Sequence, residues 1–263
     1  MPFLKIKRFN VFYRKLGSRT QLPPIVFVHG IWANHLTWIN QIRFFSKLTE
    51  IYVIDLLGHG KSDKPKEGIS IDLLSEIVKG VIEKLEIQKP VVIGHSLGGF
   101  ITQNIALKYP ELISKIVLVC TGVDIELFGI KIKIPKYILV FLKNLLSLGI
   151  WNLLYKVLPN LSSPKEIKGY KGKNFEASMA ATCSGKSMLS IIYHVVQFDI
   201  SEKVSSIQMP LLFISGTKDI FYNQRKIYQE LSNGEVKIKP GGEHPLQLAN
   251  GELNNWILDF IKK

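Results

Sequence analysis

The chain has 263 residues, 46% of them hydrophobic and 21% charged, with a formal net charge of +13. This excludes an intrinsically disordered chain and suits one globular domain with room for an insertion. The lysines are spread over the whole chain, without a dense basic run or interleaved aromatics, so the charge reads as a solvated surface and no nucleic-acid partner is expected.

The first residues alternate basic and apolar types and lack the apolar core of a signal peptide. The nearest approach to a membrane-spanning run, Tyr137 to Leu158, is broken by Lys143 and Lys156. The two cysteines, Cys120 and Cys183, stand in unlike segments, and the histidines are scattered. A reducing, cytoplasmic setting is therefore expected, with no metal and no cofactor.

Phe3 to Phe9 alternates, and Val11 to Leu16 continues extended, which predicts an antiparallel edge pair ended by Pro23 and Pro24. Ile25 to Val28 is the first continuous apolar strand, and it runs into His29-Gly30. A helix is expected over Leu36 to Leu48, then a strand over Ile51 to Ile54. That strand ends at Asp55 before the glycine-rich loop Gly58 to Asp63. Ile71 to Leu85 has helical periodicity, with Ser70 or Asp72 as its cap.

Pro90 to Ile93 predicts a buried strand, and Phe100 to Tyr109 a helix stopped by Pro110. Ile116 to Val119 and Pro210 to Ile214 predict further strands. A helix over Asn223 to Leu231, a strand over Val236 to Ile238 and a helix over Leu253 to Ile261 close the chain. Strands alternating with helices imply a mostly parallel sheet covered on both faces. Residues 124–207 break the alternation with helix-like apolar stretches at Tyr137 to Leu142 and Leu145 to Leu158. A structureless loop of that length is uncommon, so a helical lid is expected, dividing the core into 1–123 and 208–263. A plain substrate cover is the favoured role for it, and contact with a membrane surface the lesser one.

Between the strand at Pro90 and the helix after it stands Gly94-His95-Ser96-Leu97-Gly98-Gly99, a G-x-S-x-G motif at a sharp strand-to-helix turn. Gly94 and Gly98 leave room for such a turn, which projects the Ser96 hydroxyl beyond the sheet edge. A serine needs a base, and the base needs an orienting carboxylate. Of the six histidines, His244 lies in a turn after the last strand, where catalytic side chains collect. His29 and His95 flank strand ends inside tight motifs and suit structural roles. His59 sits in a glycine loop, and His35 and His194 lack a strand-edge setting, although His194 could face the pocket from the lid.

For the acid, Asp219 in a short polar turn is favoured over Asp124, which opens the lid. The Leu97 and Ile31 backbone N–H groups are the candidate oxyanion donors. Trp32 either lines the pocket or packs as a loop aromatic.

These residues resemble the α/β-hydrolase fold superfamily. His29-Gly30-Ile31 with Trp38 is similar to its oxyanion motif, and Asp55 to Ser62 to its D-x-x-G-x-G-x-S loop. Gly94 to Gly99 is similar to its elbow, Gly216 to Asp219 to its acid turn, and His244 to its histidine loop. The resemblance implies a central eight-stranded sheet, a cap inserted after the sixth strand, and a Ser96-Asp219-His244 triad. Ser96 stands where haloalkane dehalogenases and epoxide hydrolases carry aspartate, and Leu97 where proline iminopeptidases carry tryptophan. The ring-fission C–C hydrolases use an arginine in or near the cap, and this chain has none between Arg43 and Arg225.

The expected activity is hydrolysis of a small-molecule carboxylic ester with an apolar acyl or alcohol part. The alternatives on the same triad are a thioesterase, a lactonase, a C–C hydrolase, or a small-molecule receptor with vestigial hydrolysis.

Overall fold

The computed structural model describes residues 2–66, 68–127, 130–131, 179–244 and 251–263. The β-branched runs form the middle of a sheet: β3 (Ile25–Val28) and β4 (Ile51–Ile54) are buried at every position. Around them lie β1 (Phe3–Ile6), β2 (Phe9–Leu16), β5 (Val91–His95), β6 (Lys115–Val119), β9 (Leu211–Gly216) and β10 (Gly234–Lys239). Glu126–Leu127 and Ile130–Lys131 form a separate two-stranded hairpin, β7 and β8. The eight-stranded sheet runs β1-β2-β4-β3-β5-β6-β9-β10, with β2 antiparallel to both of its neighbours, β1 and β4, and every other adjacent pair parallel.

The order reverses at β3, whose neighbours are β4 on one side and β5 on the other. In an open parallel sheet, such a reversal leaves a crevice at the carboxyl ends of the strands, where ligands bind.

The period-two geometry of a strand splits the core into two layers. Val26, Val28 and Val92 face α2 (Ile71–Lys84) and α3 (Leu97–Lys108). Ile25, Phe27, Val91 and Ile93 face α1 (Ile39–Phe45) and α6 (Glu252–Lys262). Ser70 caps α2, its side chain accepting a hydrogen bond from the Leu73 N–H.

Three expectations are corrected. Phe9 opens β2 rather than closing the first strand, because Lys7 adopts φ 53° and Ile6 pairs directly with Phe9. The expected helix over Leu36 to Leu48 is a 3-10 turn, His35–Trp38, followed by the short α1. Asn34 caps that turn by accepting a hydrogen bond from the Leu36 N–H. The stretch Asn223 to Leu231 is likewise a 3-10 turn, Tyr222–Gln224, followed by α5 (Arg225–Gln229), because Gly234 has to enter β10.

Of the interruption, residues 132–178 lie outside the described residues, including both apolar stretches expected as lid helices. Its returning limb carries α4 (Gly185–Gln197), capped by Ser184. Met188 and Ile191 of α4 are buried in the same cluster as Val28, Leu74 and Phe100. The Ser190 hydroxyl accepts a hydrogen bond from the Ile69 N–H at 2.8 Å, and the Ser184 N–H donates to the Gly58 carbonyl at 2.9 Å. A Cβ on Gly58 would stand 2.7 Å from the Ser187 Cβ, so α4 packs tightly on this loop.

This limb therefore shares the core of the sheet. Ile191→Ala is expected to lower unfolding stability by about 2–4 kcal/mol, the usual range for a fully buried large-to-small change. Urea denaturation measures it, and a loss below about 0.5 kcal/mol would mean that α4 is not part of the cooperative unit.

Candidate active site

Ser96 sits between β5 and α3 with φ 50° and ψ −115°. A residue with a side chain holds such a conformation only where its surroundings impose it. Here the Ser96 N–H donates to the Val119 carbonyl at 3.0 Å, and the Ser96 carbonyl accepts from the Thr121 hydroxyl at 2.9 Å. A Cβ on Gly94 would meet the Gly98 carbonyl oxygen at 2.3 Å, and one on Gly98 the Val28 carbonyl oxygen at 2.1 Å. The turn is closed by contacts that only glycine permits.

Asp219 lies in the turn after β9. Its Oδ1 accepts hydrogen bonds from the Phe221 N–H at 2.8 Å and the Ser215 hydroxyl at 3.3 Å. Its Oδ2 lies 2.7 Å from His244 Nδ1, and its side chain is fully buried while that of His244 is 29% exposed. A carboxylate accepts only, so this contact assigns the proton to Nδ1 and leaves Nε2 as an acceptor.

The loop carrying His244 is tied to the acid turn by the Lys218 N–H on the Gly242 carbonyl at 3.0 Å. The Gly241 N–H adds a bond to the Thr217 hydroxyl at 2.8 Å. The two ring centroids of His244 and His95 are 4.6 Å apart, which sets His244 beside the residue preceding Ser96. Burial, reinforced by His244, holds His95 neutral, well below the usual histidine range.

Asp124, the rival acid, is held elsewhere. Gln224 Nε2 donates to its Oδ1 at 2.8 Å and to its carbonyl at 3.1 Å, while Gln224 Oε1 accepts from the Val123 N–H.

In the loop after β3, His29 Nε2 accepts from the Leu56 N–H at 3.0 Å and Nδ1 lies 2.8 Å from the Gly30 carbonyl. This assigns His29 as the neutral Nδ1–H tautomer, and burial lowers its pKa to about 4. The peptide unit is planar and trans, so holding the Gly30 carbonyl turns the Ile31 N–H to the opposite side. Leu97 is the first residue of α3, where helix geometry supplies no intrahelical acceptor for its N–H.

Trp32, at φ 56°, packs half-buried against the main core cluster together with Ile31. Asp55 clamps the far end of the same loop. Its Oδ1 accepts from the His35 N–H at 2.7 Å and pairs with His35 Nδ1 at 2.8 Å, and its Oδ2 accepts from the Lys61 N–H at 2.8 Å. A Cβ on Gly60 would lie 2.2 Å from that Oδ2. Burial opposes the charge on Asp55, but these bonds outweigh it and keep the carboxyl below its ordinary range.

His194 belongs to a different neighbourhood. Its ring lies 5.1 Å from that of Tyr193, burial lowers its pKa, and the charge that opposes this is Asp72 at the start of α2. One residue of the site was missed by sequence reasoning. Ligand atoms of Cys120, Asp219 and His244 all lie within 4.8 Å of one another. The available signal was positional, since Cys120 follows β6, whose Val119 pairs with His95 of β5 and Ile214 of β9.

The buried histidines make stability depend on pH. His29 and His59 are depressed to about 4 and about 3, chiefly by burial. An unfolded chain protonates both near 6.5, so below about pH 6.5 it takes up protons that the folded chain refuses. Stability is thus fully present above that pH and is lost as pH falls through 4. Thermal melts between pH 8 and pH 4.5 should show Tm falling steadily below about 6.5. A Tm unchanged from pH 7 to 5 would contradict the assignment.

A model of the alpha/beta hydrolase fold family matches residues 23–250. An uncharacterised protein of Mycobacterium tuberculosis is 30% identical over 121 residues, which is 46% of this chain and 36% of that protein. The chain thus spans little more than a third of that relative. The pimeloyl-[acyl-carrier protein] methyl ester esterase of Wigglesworthia glossinidia brevipalpis is 29% identical, over 96% of this chain and 98% of its own. Among solved structures, a bromoperoxidase from Bacillus anthracis superposes with TM-score 0.83 at 21% identity, covering 99% of each chain. An esterase from Exiguobacterium antarcticum superposes with TM-score 0.82 at 16% identity, again over 99% of each chain. With the family model spanning the sheet from β3 to beyond β10, the chain belongs to the α/β-hydrolase fold family.

Proposed function

We propose that the protein hydrolyses small carboxylic esters with an apolar acyl or alcohol part, through an acyl-enzyme on Ser96. The observation that carries this is the 2.7 Å contact between His244 Nδ1 and Asp219 Oδ2 at the strand edge where Ser96 turns out of the sheet. His244 Nε2 takes the Ser96 proton as the hydroxyl attacks the ester carbonyl. It then passes that proton to the departing alcohol. Asp219 holds the imidazole tautomer and stabilises the imidazolium. The Ile31 and Leu97 N–H groups receive the oxyanion. Water then attacks the acyl-enzyme with His244 again as base, and Ser96 is regenerated. His244 carries both protons of this cycle, one from Ser96 to the alcohol and one from the attacking water back to Ser96.

The nearly full-length similarity to an esterase supports an ester over other substrates of the same triad. Trp32 and Ile31 would form the apolar wall. No helix among the described residues is long and apolar enough to cross a membrane, and Cys120 and Cys183 both carry thiols. The two thiols support action in a reducing setting, the cytoplasm.

Steady-state hydrolysis of short and medium acyl nitrophenyl esters tests the assignment. Ser96→Ala is expected to lower kcat by more than about 10³-fold, and Asp219→Asn by about 10³–10⁴-fold through the wrong imidazole tautomer. Asp124→Asn should leave kcat within about threefold. Retained turnover in Ser96→Ala, or a collapse in Asp124→Asn with Asp219→Asn active, would overturn it.

A further inference from the structure

We propose that Cys120, Asp219 and His244 form an inhibitory site for a thiophilic divalent cation, with zinc the best match. The three residues offer a sulfur, a ring nitrogen and a carboxylate oxygen, all within 4.8 Å of one another. Zinc takes this donor set at bonds of about 2.0–2.3 Å, which places the ligand atoms roughly 3.3–3.8 Å apart. The widest separation, up to 4.8 Å, must therefore contract by about 1 Å, while His244 Nδ1 and Asp219 Oδ2, now 2.7 Å apart, must open by about 0.6 Å for the ion to enter between them.

Two of the three donors are fixed. Cys120 is buried at φ 48°, its N–H held by the Ile214 carbonyl at 2.8 Å. Asp219 is held through Oδ1 by two donors, with Oδ2 left toward the imidazole. The third donor, His244, is the part-exposed one, so the ion reaches the site from its side.

The proton balance explains the inhibition. The ion binds the thiolate sulfur, and the thiol proton passes to solvent. It takes the place of the proton on His244 Nδ1, which moves to Nε2, so the imidazole stays neutral. One carboxylate and one thiolate balance the two positive charges, and a water completes four-coordination. With Nε2 protonated, His244 has no lone pair for the Ser96 proton. The inhibitory consequence rests on the proposed role of His244, whereas binding of the ion does not.

The test uses the full chain and cobalt(II) as a spectroscopic substitute for zinc. One equivalent of cobalt should give a thiolate-to-cobalt charge-transfer band in the near ultraviolet. Cys120→Ser should abolish that band and Cys183→Ser should keep it. Zinc should also inhibit ester turnover reversibly, with chelator restoring the rate. Relative to its own uninhibited rate, Cys120→Ala should be at least tenfold less sensitive. Absence of the band in the unsubstituted protein, its survival in Cys120→Ser, or equal zinc sensitivity in Cys120→Ala would each overturn the proposal. A chain that shows the Cys120-dependent band but never turns over an ester would sustain the metal site and overturn the esterase reading alone.

Discussion

The rest of the site depends on the backbone of Ser96. A serine at φ 50° costs on the order of 1–2 kcal/mol relative to an ordinary conformation. The cost is met by close approach on every side. The carbonyls of Val28 and Gly98 occupy the space that Cβ atoms on Gly98 and Gly94 would fill, and Gly99 packs on Thr121 in the same way. Thr121 and Val119 then hold both backbone ends of the serine. The turn is thus rigid because the strands beside β5 are packed against it, and the helix dipole of α3 is aimed at the same point.

Four connections meet there, at the carboxyl ends of the parallel strands on either side of the reversal at β3. The loop after β3 brings the Ile31 N–H, the turn between β5 and α3 brings Ser96, and the loops after β9 and β10 bring Asp219 and His244. Each loop is fixed by buried polar contacts of its own. His29 locks the Gly30 peptide, Asp55 fastens the loop through His35 and Lys61, and the glycine pair Gly216 and Gly242 lets the acid and histidine loops touch. They set angles, and the angle of a donor decides how much charge it can stabilise.

Much of this could be read from the chain, for reasons that are local. Continuous β-branched runs such as Ile25 to Val28 can only be buried strands in a sheet covered on both faces, and the G-x-S-x-G spacing states its own turn. The place of Asp219 at a strand end was legible because its turn is short and follows a strand directly. Element ends were less legible: the left-handed Lys7 moves Phe9 into β2, and Asn34 begins a 3-10 turn where the apolar pattern alone reads as helix. The lateral contacts were not legible. Gln224 reaching Asp124 and Cys120 standing beside His244 depend on which strand ends lie side by side, and neighbouring strands are far apart in the chain. His194 shows the converse, since a residue of the expected lid can lie toward α2 and Asp72.

The most direct test of the central claim is peptide mapping by mass spectrometry after reaction with a fluorophosphonate. The account predicts one covalent adduct, on Ser96, that forms rapidly in the folded chain and is suppressed when Asp219 is replaced by asparagine. An adduct on any other serine, or labelling of Ser96 at the same rate without Asp219, would contradict it.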